Sequence, residues 1–68
     1  MSKEMDFFIF LLEHYASHKE TTADVVLTKW EELNLTDVIF DMYPQYHIER
    51  LENAYADIDE LVKEKRQH

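Results

Sequence analysis

Apolar and polar positions along the chain fall into four blocks, and the first block is unlike the others. Between Asp6 and Glu13, six consecutive residues are apolar: Phe7, Phe8, Ile9, Phe10, Leu11 and Leu12. At helical spacing Met5, Phe8, Leu12 and Tyr15 form one stripe. Phe7 and Leu11 form a second, about 160° away at 100° per residue. Ile9 and Phe10 take the remaining sides. A helix that is apolar nearly all round does not lie on a surface with one face in water. It sits at the centre of the fold, or it gives one stripe to its own core and the other to a partner. Continued apolar spacing through Tyr15 and Ala16 favours a helix over a buried strand.

The pattern predicts a first helix over 3–17, capped by Ser2, with Glu4 and Asp6 suited to the positive end of its dipole. Thr21 or Thr22 caps a second helix over 23–33, with Val26, Leu27, Trp30 and Leu33 inward. Asn34 ends that helix in the left-handed conformation that glycine adopts elsewhere, because the chain has 0 Gly. Thr36 is expected to cap a short third helix over 37–43, with Val38, Ile39 and Met42 inward. Leu35 and Phe40 sit near hydrophobic-staple positions. Pro44 ends this helix. A last helix is expected over 48–65, with Ile48, Leu51, Tyr55, Ile58 and Val62 inward and Ala54 and Leu61 beside them. Its other face carries Glu49, Glu52, Asp57, Asp59 and Glu60, read as a solvated acidic surface. The reading is all-α: a small bundle of three long helices and one short one, forming a single domain over 1–68.

Composition sharpens the picture. A chain of 68 residues buries only about 60% of its unfolded surface, so stability is marginal without a staple. With 0 Cys there is no disulfide framework and no thiolate metal site, which suits a cytoplasmic location. The start of the chain lacks a basic n-region and a small-residue cleavage site, so no signal peptide is expected. The apolar run is too short to span a bilayer. A net charge of −8, from 15 acids against 7 bases, opposes contact with nucleic-acid phosphates. It suits solubility, a basic protein partner or DNA mimicry.

Candidate chemistry is sparse. His14 and His18 lie one helical turn apart, a spacing that can share a metal ion. The residues between them do not give the HExxH wording, and no third ligand is assured, so no metal site is expected. His47 reads as a polar helix-start residue or a neutral ring packed among Tyr43, Tyr46 and Tyr55. Catalysis there would need a nucleophile and an oxyanion site, and no glycine-rich loop exists to cradle phosphate. No catalytic residue and no cofactor are expected. The second and third helices have helix-turn-helix spacing, but the third carries Asp37 and Asp41 and no cation, the wrong charge for a DNA groove. Trp30 and Tyr55 read as core. Tyr46 reads more as an interface residue.

The segments 6–15, 22–26 and 35–39, with Tyr43, His47, Tyr55, Asp57 and Ile58, resemble a family of small bacterial proteins termed domain of unknown function 3791. The resemblance covers about 5–62. The family usually carries glycine near residues 20 and 50, where this chain has Glu20 and Arg50. With Arg50 in that place, the last helix is expected to begin earlier than in relatives. The family has no assigned activity, and its members are often encoded beside toxin-like proteins resembling ADP-ribosyltransferases. The resemblance therefore implies an antitoxin-like or accessory binding role.

The expected function is a non-enzymatic acidic protein-binding module. A helix-turn-helix-like regulator or DNA mimic is the alternative. The short third helix shields little of the first, so Phe7, Phe10, Leu11, Tyr43 and Tyr46 are the candidate partner or homodimer interface.

Overall fold

The computed structural model describes residues 2–67. Five helices follow one another: α1 (Lys3–His18), α2 (Ala23–Glu32), α3 (Thr36–Phe40), α4 (Tyr43–Tyr46) and α5 (Leu51–Arg66). The fold is all-α, and no strand occurs among the described residues. The three long helices match the expected ones closely. One difference is a second short helix, α4.

α1 starts where its sequence says it should. Ser2 is extended, and its hydroxyl accepts a hydrogen bond from the Met5 amide at 3.1 Å. That contact satisfies one of the donors a helix N-terminus leaves open. Phe8, Leu11, Leu12, Tyr15 and Ala16 are buried along it. α1 packs against α2, α3 and α4, and Tyr15 reaches α5 through Asp59. It is the central helix, though Ile9 and Phe10 stay exposed.

Both long turns end their helices in the same way. Glu20 and Asn34 have φ of 58° and 59°. At the end of α1, Glu20 N–H donates to Ser17 C=O and Thr21 N–H donates to Ala16 C=O. At the end of α2, Asn34 N–H donates to Glu31 C=O and Leu35 N–H donates to Trp30 C=O. This paired 5→2 and 6→1 pattern is the Schellman motif, which satisfies the orphan carbonyls of a helix end. Asn34 does what its residue type predicted. Glu20 does it with a side chain poorly suited to the left-handed region.

Several expectations are corrected between Asn34 and Leu51. Thr36 does not cap α3: Leu35 holds that position in a helical conformation, and Thr36 lies inside the helix. The preceding Schellman turn delivers the chain straight into α3, and Leu35 is buried in the core. Burial of leucine has prevailed over capping by threonine, whose hydroxyl is left buried without a partner. α3 ends at Phe40 rather than Tyr43, and Val38 points to solvent.

Pro44 does not stop a helix; it stands in the first turn of α4, where its missing N–H leaves nothing unsatisfied. α5 begins at Leu51, later than expected, with Arg50 as an extended cap residue at φ −67°. Ile48 is consequently outside the helix and 77% exposed, so it is not a core residue.

The core is one cluster centred on Trp30, Tyr46, Leu11, Leu35, Ile39 and Ile58, with Ala54 allowing close approach of α5. Its aromatic members meet edge to face or tilted. Phe8 lies 5.9 Å from Trp30 and 5.7 Å from Phe40, and Tyr15 lies 5.6 Å from Trp30. Such geometry adds to area burial.

Candidate interaction surface

One side of the molecule carries a continuous strip of rings. α1 supplies Phe7, Phe10 and His14 at successive helical spacings, and α4 supplies Tyr43 with His47 at its end. His14 lies 4.2 Å from Phe10, and Phe10 lies 6.2 Å from Phe7. Phe7 meets Tyr43 edge-on at 5.7 Å and His47 edge-on at 6.5 Å. The strip closes on a parallel stack of Tyr43 and His47, 4.2 Å apart at 7°. His47 Nδ1 lies 2.6 Å from the Tyr43 carbonyl oxygen, which fixes the ring over its neighbour. Phe10 is 46% exposed, and Phe7 and Tyr43 are half-buried. Asp6, next to Phe7, and Glu13, next to His14, are exposed.

The strip holds three of the five residues expected at an interface. Phe7, Phe10 and Tyr43 come together. Leu11 and Tyr46 do not join them: they are 1% and 0% exposed and belong to the core. Leu11 faces inward because α1 is central, and its part of the second stripe is covered by the molecule's own helices while Phe7 stays half-buried at the edge. Tyr46 turns inward because α4 gives its corner a helical path that the sequence reading did not include.

Tyr46 also exposes what that reading missed on α5. Its hydroxyl donates to the Asp57 carboxylate. Tyr15 does the same to Asp59 Oδ1 at 2.6 Å, and Lys19 Nζ pairs with Asp59 Oδ2 at 2.8 Å. Asp57 and Asp59 are thus fastened to other helices rather than standing on a solvated face. The available signal was their placement on either side of inward Ile58, within reach of buried tyrosines that need a partner. Burial raises the pKa of both tyrosines, and the neighbouring carboxylate raises it further. Burial alone would raise Asp59, but the hydrogen bonds from Lys19 and Tyr15, with the Lys19 charge, hold its carboxyl below the usual range.

Among the described residues, His14, His18 and His47 each lie against an aromatic ring. His18 stacks on Tyr55 at 4.6 Å, and His14 lies on Phe10. No group of three potential metal ligands occurs among the described residues. Chemically the surface offers ring faces and edges.

A family profile described as "Protein of unknown function (DUF3791)" matches residues 6–65. The chain belongs to the DUF3791 family. The match runs from the start of the apolar block in α1 almost to the end of α5, so it takes in the whole strip and both tyrosine–aspartate contacts. No curated protein and no solved structure matches the chain. No described helix is long and apolar enough to cross a membrane.

Proposed function

We propose that this DUF3791 chain is a cytoplasmic, non-enzymatic protein-binding module that docks its partner on the Phe7–Phe10–Tyr43 strip. The observation that carries this reading is the exposed Phe10 at the middle of a ring series reaching from His14 to His47. Aromatic side chains give large contact area at low entropic cost and are enriched at interface centres. The net charge of −8 selects a basic partner and speeds encounter, with acids at the rim rather than the centre. The partner fitting the family resemblance is a toxin-like protein encoded next to this one, which makes the module antitoxin-like. In its absence the same strip pairs two copies about a two-fold axis.

Co-expression with the neighbouring gene product tests the reading. A stable complex should form with the wild-type chain and be lost with Phe10→Glu, whose helical circular dichroism should be unchanged. Failure to form any complex with that neighbour, or a complex indifferent to Phe10→Glu, would overturn it. The regulator alternative finds no support in α3, whose five residues include Asp37 and no cation. A flat gel-shift titration with duplex at low salt is expected.

A further inference from the structure

We infer that the cleft between the C-terminal ends of α1 and α5 and the side of α2 is a binding site for a small amphiphile with a single carboxylate head. The cleft is floored by Trp30, Val26 and Val62, opens to solvent and has a volume of about 330 Å³, at the lower end of the range of about 300–1,000 Å³ that small-ligand pockets span. Trp30 and Val26 are almost fully buried, so the floor is a firm part of the core.

The rim reverses the charge of the molecule. Lys19, Lys29 and Arg66, from three different elements, all line the opening, although the chain as a whole carries −8. Asp59 is the carboxylate among the lining residues, and it is already engaged by the Tyr15 hydroxyl and Lys19. Lys29 and Arg66 form no ion pair among the described residues. An apolar floor beneath two unpaired cations matches a ligand with an apolar body and one anionic head. The head would take charge-assisted hydrogen bonds from the rim, and the body would cover the valines and the indole edge. The site lies apart from the aromatic strip and shares none of its residues.

The single tryptophan of the chain lines the base of the cleft from within the core, so occupancy is read as a change in the surroundings of its ring. Octanoate titrated against the intact protein should give a saturable change in tryptophan emission at millimolar concentration or below. Octanol and octylammonium, with the same body and a neutral or positive head, should give none. The double variant Lys29→Glu with Arg66→Glu changes only exposed side chains, so its circular dichroism should be retained. It should bind octanoate at least about tenfold more weakly, as expected when charge-assisted contacts are replaced by repulsion. Phe10→Glu should leave the titration unaltered, which separates this site from the protein-docking strip. The inference is overturned if octanoate gives no saturable change, if octanol matches it, or if the double variant binds equally well. It is equally overturned if only an acidic, leucine-containing peptide saturates the signal, because the cleft would then serve a polypeptide.

Discussion

Tyr15 on α1 and Asp59 on α5 lie 44 positions apart in sequence, yet the tyrosine hydroxyl donates to the carboxylate at 2.6 Å. This contact and the Tyr46–Asp57 bond hold the last helix against the core beside the apolar contacts of Leu51, Ala54, Tyr55, Ile58, Leu61 and Val62. A hydrogen bond to a charged acceptor contributes more than a neutral one, but the Asp59 side chain is partly open to water. Tyr15→Phe should therefore cost about 1–2 kcal/mol, and Tyr46→Phe a similar amount. For a domain of this size, 1 kcal/mol corresponds to about 4–8 °C in Tm, so thermal melts of the two variants check the prediction.

The same pairs set a pH dependence with a sign on each side. The folded pKa of Asp59 lies below its unfolded value, so its contribution is present above the ordinary carboxylate range and is lost as pH falls through the folded value. The folded values of Tyr15 and Tyr46 lie above the ordinary tyrosine value of about 10. Their contribution is complete below that pH. It is lost above it, because the unfolded chain releases protons that the folded chain keeps. Urea midpoints should therefore form a plateau at neutral pH and fall on both the acid and the alkaline side. Tyr15→Phe combined with Tyr46→Phe should flatten the alkaline fall. An unchanged alkaline limb in that double variant would contradict the assignment.

Glu20 occupies a left-handed position at φ 58° without the freedom of glycine. A non-glycine residue there costs about 1 kcal/mol or slightly more. Glu20→Gly should raise stability by less than that amount, about 0.5 kcal/mol, because the added freedom of the unfolded chain offsets part of the gain. Asn34→Gly, at φ 59°, should gain less, because asparagine tolerates this region. Chemical denaturation of both single variants gives the comparison directly.

Much of this architecture was legible in the residues. Ser2, the period of α1 and α2, and Asn34 as a glycine substitute each follow from local chemistry, and the structure repeats them. The stretch from Leu35 to Arg50 was less legible because local signals conflict there with burial. Thr36 has cap chemistry, but Leu35 needs the core. Pro44 reads as a stop, but it serves equally well near a start. Ile48 fits the period of α5, but it precedes the helix by three residues and faces water. The candidate interface was partly legible for the same reason. Phe7 and Phe10 follow from the pattern of α1 alone, whereas Tyr46 depends on the path of α4. The basic cleft gave no sequence signal, since Lys19, Lys29 and Arg66 are brought together only by tertiary folding.

Self-association separates the two kinds of apolar residue on α1. Phe10 is half open to solvent, whereas Leu11 is enclosed. A glutamate at position 10 keeps its charge in water, so Phe10→Glu should change stability by no more than about 1 kcal/mol. At position 11 the carboxylate would enter the core with no partner, so Leu11→Glu should cost several kcal/mol, of the order of the whole stability of a domain this small. The proposed two-fold pairing of strips then makes a sharp forecast for sedimentation at micromolar concentration. The wild-type chain should run as a dimer and Phe10→Glu as a folded monomer, while Leu11→Glu should lose its helical circular dichroism before any statement about mass can be made. Added salt should strengthen the wild-type dimer, because it screens the repulsion between two chains of charge −8. A wild-type monomer across this range, together with a Phe10→Glu chain that still captures the neighbouring gene product, would remove the strip from both roles.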